Sequence, residues 1–390
     1  MRLPIYLDHN ATTPVDPGVL EEMLPCFHAE FGNPASRTHA WGWRADRRVV
    51  QARERIARAI GARVGEIILT SGATEANNLA ILGIADRHHE RPGEIITGLT
   101  EHKAVLDPCR HLERRGWTIH RLPPDAEGRV DPDVLRRRVG PRTALISLMA
   151  ANNETGALHP WRELGAVARE LGVPFHIDAA QAVGKVPFDV ESAGADLVSI
   201  SGHKLYGPPG VGALFVRGRP RVGLSPILFG GGHEQGLRPG TVPMPLAVGL
   251  GAAIERAVEG MAVEAERARG LIDRLRRALR SEVPDLLEFG VDRDRHPERT
   301  LPGTLLFGFP GLESQTLMVA LPELALSNGS ACTSTELTPS HVLRAMGVAE
   351  DRAHTAIRIG VGRSTRPEEI DHAARLLAGA ARRLRAGSGS

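Results

Sequence analysis

Two stretches decide the fold: Val173-Pro174-Phe175-His176-Ile177-Asp178 and Asp196-Leu197-Val198-Ser199-Ile200-Ser201-Gly202-His203-Lys204. Each is an apolar run of strand length that ends in groups able to react. Working outward, further strands are expected at 66–69, 94–97, 117–121, 143–149 and 211–216. Between them lie helical patterns from about 73 to 85, then 103–115, 131–138 and 160–171. Strands alternating with helices of this length imply an α/β protein with a mostly parallel sheet covered on both faces. Ligands of such a sheet sit beyond the carboxyl ends of its strands.

Residues 17–60 read mostly as helix, interrupted at Phe31-Gly32-Asn33-Pro34, and a long helical pattern runs from Pro243 to about Arg280. After it, short strands and helices alternate again, with a closing helix over 367–380. The expected division is an N-terminal segment (1–16) packing with a small domain, a large domain (17–260), the small domain itself (261–376) and a flexible tail (377–390).

The charge balance is near neutral, +2 from 48 Lys+Arg against 46 Asp+Glu, which leaves no basic footprint for direct nucleic-acid binding. Arginines cluster over 44–58 and 267–277 but are interleaved with Asp and Glu, as on a solvated helical face. No apolar stretch is long enough to span a membrane, and Pro4 and Asp8 break the N-terminal run, so no signal peptide is expected. Cys26, Cys109 and Cys332 form neither a disulfide framework nor a CxxC pair, which points to a reducing cytoplasm.

Several candidate residues fall at expected strand ends. Ser71-Gly72-Ala73-Thr74 lies between strand and helix, where free amides and hydroxyls suit a phosphate; an ordinary capping turn explains it equally. Asp178 is either a helix cap or a carboxylate facing a protonated ring nitrogen, with Gln181 a turn away. Lys204, in a string with Ser201 and His203, can form a Schiff base if its amine is desolvated. His102 can stack on a planar ring or move protons; with His176 and His203 it lacks metal-ligand spacing, so no metal is expected. Arg358 interrupts an apolar alternation and needs a partner, either an internal carboxylate or one on a substrate. Cys332, among Gly329, Ser330, Thr333 and Ser334, suits an exposed nucleophile, whereas Cys26 and Cys109 fall in helical segments and read as packing.

Tyr6-Leu7-Asp8-His9-Asn10-Ala11-Thr12-Thr13-Pro14 resembles the opening of cysteine desulfurases, pyridoxal-phosphate enzymes of the class V aminotransferase group. So do Ser71–Glu75, Asn152-Asn153-Glu154-Thr155-Gly156, His203–Pro208 and Gly329–Ser334, in order along the chain. The resemblance implies fold type I of the pyridoxal-phosphate enzymes, a homodimer, and conversion of L-cysteine to L-alanine. Lys204 would hold the cofactor covalently, Asp178 would face its ring nitrogen, His102 would stack on the ring and transfer protons, and Gln181 would bond its phenolic oxygen. Asn153 would position cofactor and substrate. The phosphate would be held by the Ala73 amide, Thr74, Ser201 and His203, joined by Thr241 of the other subunit. Arg358 would clamp the substrate carboxylate with Asn33 nearby, and Cys332 would carry sulfur as a persulfide.

The Gly329–Ser334 string resembles the subgroup with a longer catalytic loop that hands sulfur to partner proteins. An iron–sulfur scaffold, a tRNA-thiolation protein or a DNA-modification protein would be the acceptor, and the opening residues also resemble desulfurases of DNA phosphorothioation. A selenocysteine lyase or an aminotransferase of the same fold is the alternative. Gly360 stands where serine is expected after the arginine, and Pro239 replaces a small polar residue before Gly240-Thr241.

Overall fold

The strands of the protein are β1 (Ile5–Tyr6), β2 (Ile67–Thr70), β3 (Glu94–Gly98), β4 (Thr118–Leu122), β5 (Thr143–Met149), β6 (Phe175–Asp178), β7 (Leu197–Ser201), β8 (Gly212–Val216), β9 (Leu287–Glu288), β10 (Thr304–Gly308), β11 (Leu324–Ala325) and β12 (Ala356–Gly360). They come from a computed structural model that describes residues 4–88, 91–328 and 339–387. Seven of them form one sheet in the order β2-β8-β7-β6-β5-β3-β4. Six run parallel, and β8 alone is antiparallel to both of its neighbours.

The largely apolar runs of β2, β6 and β7 follow from this arrangement, because both faces of those strands are buried. One face packs against the helices Ala73–Arg87 and Lys103–Glu113, through Ala76, Leu79, Ile84, Val105 and Leu112. The other packs against Ala40–Ile60, Trp161–Glu170 and Met244–Glu259. A separate core joins Ile5 and Leu7 to the helices Met261–Glu282 and Pro367–Gly387 and to the antiparallel sheet β12-β10-β9.

The helical pattern from 243 to 280 is two helices that meet at Gly260. One expectation is corrected. The segment expected as a flexible tail from 377 is helical to Gly387, because Leu377, Ala378, Ala380 and Ala381 are buried in the second core. Charged residues on the remaining face of that helix had made its apolar stripe look shorter than it is.

The sheet delivers five chain segments to one edge. β2 ends at Thr70 and runs into Ser71-Gly72; β3, β5, β6 and β7 end just before His102, before Asn153, at Asp178 and before Lys204. The antiparallel β8 starts at the same edge, and Gly212 pairs there with Thr70 and Ser201. A Cβ on Gly212 would lie 2.4 Å from the Ile200 carbonyl oxygen and 2.7 Å from the Gly72 Cα. Only glycine lets β8 pass this close beneath the Ser71–Thr74 turn.

Candidate active site

At the strand ends a cavity of about 480 Å³ is lined by Ala73, Thr74, His102, Asn153, Asp178, Gln181, Ser201, His203, Lys204 and Arg358. One residue expected beside Arg358 is not among the lining residues. Asn33 is exposed and uses its side-chain oxygen to accept from the Ala35 amide at 2.9 Å. Thr241, expected from the other subunit, is exposed in this chain. Cys332 belongs to the stretch 329–338, outside the described residues.

One end of the cavity is the N-terminus of the helix Ala73–Arg87. The Ser71 amide is taken by the Glu75 carboxylate at 2.7 Å, and the first-turn amides of Ala73 and Thr74, at the start of the helix, have no acceptor inside it. Gly72, at φ 153° and ψ 178°, adopts a backbone geometry open essentially to glycine alone and brings the turn to the cavity. Ser201 and His203 close this end. Burial and then the positive charges of Lys204 and Lys185 lower the His203 pKa to about 4, so its imidazole is neutral at pH 7.

Asp178 is buried, and its two oxygens are held separately. Oδ2 accepts from Asn77 Nδ2 at 2.7 Å and Oδ1 from the Ala180 amide at 3.0 Å. This fixes the carboxylate plane at the wall of the cavity. His102 caps the helix Lys103–Glu113, with its Nδ1 accepting from the Ala104 amide at 3.1 Å. In the neutral ring the proton then resides on Nε2.

Lys204 follows β7 in a single 3₁₀ turn, and its Nζ donates to the carbonyls of Asn10 and Ala11, both at 2.6 Å. Asn10 is a hub that sequence reasoning did not single out. Its carbonyl also accepts from Gln181 Nε2 at 2.9 Å, and its own Nδ2 donates to Thr304 Oγ1 at 2.8 Å. A backbone carbonyl carries no side-chain signature, so no pattern could have marked it. Asn77 and Asp8 were missed for a related reason, as partners supplied by distant segments.

The internal partner of Arg358 is Asp8. The guanidinium forms an ion pair with Asp8 at 2.7 Å and donates to the Asn153 carbonyl at 2.9 Å, yet it also lines the cavity. His176, by contrast, is a satisfied core histidine on β6 between Ser147 and Ser199, at 2.8 and 2.9 Å. Among the described residues no group of three or more His, Cys, Asp or Glu side chains is placed to hold a metal ion.

These residues suit a flat, phosphorylated, aromatic aldehyde. Orphan amides and a neutral histidine face one end, a fixed carboxylate marks the wall, and an amine stands at the end of β7.

The family model for class-V aminotransferases matches residues 5–373. Cysteine desulfurase IscS of Anaeromyxobacter dehalogenans is 51% identical over 385 residues, which cover 99% of this chain and 94% of that protein. Among solved structures, a NifS-like protein superposes with a TM-score of 0.89 at 34% identity, covering 98% of this chain and 100% of the other. SspA in complex with cysteine superposes at 0.79 with 38% identity, covering 91% and 98%. The sheet order and second core described above are those of the type I fold of pyridoxal-phosphate enzymes. The chain belongs to the class-V aminotransferase family, in its IscS/NifS-like cysteine desulfurase group.

Proposed function

We propose that this protein is a pyridoxal-phosphate-dependent cysteine desulfurase. The observation that carries the reading is the convergence of Lys204, Asp178, His102 and the Ser71–Thr74 turn on one cavity. The cofactor, when bound, supplies an electron sink for the bond-breaking at the substrate carbon. Lys204 holds it, Asp178 pairs with its ring nitrogen, Gln181 bonds its phenolic oxygen, and His102 covers the ring. The Ala73 and Thr74 amides, the Thr74 and Ser201 hydroxyls and His203 bind the phosphate. Arg358 would receive the carboxylate of L-cysteine with Asn153 beside it, and the Lys204 amine would take the Cα proton. The Cys332 thiolate attacks the substrate sulfur, so that a carbon–sulfur bond breaks, a sulfur–sulfur bond forms and the carbon skeleton leaves as L-alanine. A relative, SspA, has been captured with cysteine, which supports this substrate.

The persulfide would pass to an acceptor protein serving iron–sulfur assembly or tRNA or DNA sulfur modification. The Gly329–Ser334 string, with its resemblance to longer-loop desulfurases, supports direct delivery. We propose a homodimer, since Phe27, Phe31, Trp41, Trp43 and Phe229 are exposed apolar surface. Thr241 and Asn33 would then act at the partner's cavity. The change from one core to the other near Gly260 supports a large domain over 17–260 and a small domain from 261 that includes the helix Pro367–Gly387. No described helix is long and apolar enough to cross a membrane, and the two described cysteines are free; a cytoplasmic setting without direct nucleic-acid contact is our reading.

Titration of the purified chain with pyridoxal 5′-phosphate tests the assignment of Lys204. A near-visible absorbance band that is reducible by borohydride to a stable Lys204 adduct is expected, and a Lys204→Ala variant should lack both. An equal band in the variant would contradict the assignment.

A further inference from the structure

Of the 48 basic residues in the chain only Lys103, Lys185 and Lys204 are lysine; all the rest are arginine. Arginine keeps its proton everywhere in a protein, whereas a desolvated lysine can lose it. Lys103 is exposed on the helix after His102, and Lys204 is assigned above. Lys185 has no role in that account, yet it reaches the same site. It lines a second cavity of about 60 Å³, shared with Lys204, His9, Asn10, Tyr206 and Thr304. Its Nζ donates to Gln181 Oε1 at 2.6 Å.

That bond matters because of what Gln181 can present. A side-chain amide accepts at one end and donates at the other, and the two ends differ little in shape. The Asn10 carbonyl requires a donor and takes one Nε2 hydrogen at 2.9 Å. Lys185 supplies a donor and so requires Oε1 on its own side. Both neighbours select one orientation, which leaves the second Nε2 hydrogen for an acceptor in the larger cavity that Gln181 lines. Gln181 is only 5% exposed, so an Oε1 without a donor could not turn to solvent instead.

We propose that Lys185 is a positioning residue, which holds the Gln181 amide as a hydrogen-bond donor toward the phenolic oxygen of the cofactor. The proposal rests on the cofactor reading given above and extends it to a residue outside the cofactor cavity. Lysine suits the task in either protonation state, because ammonium and amine both donate. Burial lowers the Lys185 pKa to about 7, with Lys204 and Arg358 as further causes. His9, Tyr206, Glu264 and Arg363 are the other charged or titratable groups lining the cavity shared with Lys204.

The test compares wild type, Lys185→Met, Gln181→Ala and the double variant, each loaded with pyridoxal 5′-phosphate. The readouts are cofactor dissociation and the pH midpoint of the lysine-linked absorbance band. A donor on the phenolic oxygen favours the deprotonated chromophore, so its loss moves the midpoint upward. Lys185→Met is expected to raise it by on the order of one pH unit and to weaken cofactor retention about tenfold. The double variant should match Gln181→Ala alone, since both changes remove the same contact. Lys185→Gln, which keeps a donor, should restore much of the wild-type midpoint and also serves if the methionine variant folds poorly. An unmoved midpoint in Lys185→Met, or a shift that adds in full to that of Gln181→Ala, overturns the proposal while leaving the cofactor reading intact. A wild type with no band removes the cofactor reading itself.

Discussion

Replacing Asp178 with asparagine exchanges one oxygen for an amide nitrogen and removes one negative charge. The structure separates what this costs the fold from what it costs the ligand. Oδ1 accepts from the Ala180 amide, and an asparagine oxygen can keep that bond. Oδ2 accepts from Asn77 Nδ2, whose own Oδ1 has no partner among the described residues. A flip of Asn77 therefore turns a donor–donor clash into a new bond, and the loss to the apo-protein should stay within about 1 kcal/mol, or about 2 °C in melting temperature. The bond to a protonated ring nitrogen is charge-assisted, worth about 1.5–3 kcal/mol, and has no replacement. Cofactor affinity should thus fall about 10- to 100-fold while the apo melting temperature barely moves. Equilibrium titration with pyridoxal 5′-phosphate and thermal melts of the apo-protein read the two quantities separately. Unchanged affinity, or a fold that loses as much as the ligand does, would refute the assignment of Asp178.

Two further predictions follow from the geometry. Burial raises the Glu154 pKa to about 7, where it accepts from the Ser340 hydroxyl. The folded state therefore holds a proton that the unfolded chain has released, and stability from this group falls as pH rises from about 4.5 to about 7. Glu154→Gln removes that slope, so its stability advantage over wild type should grow across this window, to at most about 3 kcal/mol, and level off above it. Melting curves from pH 4.5 to 8 would contradict this by running parallel. Gly212→Ala places a methyl group against the Ile200 carbonyl and Gly72, and should cost about 1–3 kcal/mol together with weaker cofactor phosphate binding. Wild-type affinity in a folded variant would mean that the turn tolerates displacement.

Much of this was legible in the sequence because the chemistry sits where the periodicity changes. The apolar runs before Asp178 and Lys204 are buried on both faces, so strand and site could be read from the same residues. The antiparallel run of β8 was not legible, because a buried strand has the same composition in either direction. Nor was the role of Asn10, which binds Lys204 and Gln181 through its backbone. Arg358 illustrates the intermediate case: its need for a partner was evident from the apolar strand around it, but Asp8 lies 350 residues away in the chain. The inward aim of Lys185 depends on the turn after β6, which local pattern does not encode. Yet its spacing of four from Gln181, in a chain almost without lysine, was a signal available to be read.

The most direct measurement of the central claim is turnover of L-cysteine by the cofactor-loaded protein in the presence of dithiothreitol, beside a Cys332→Ala variant. The account predicts equal amounts of L-alanine and sulfide from wild type, both lost in the variant while its cofactor band persists. Alanine formation that survives in Cys332→Ala would contradict sulfur transfer through Cys332, and a loaded wild type that yields no alanine would contradict desulfuration itself.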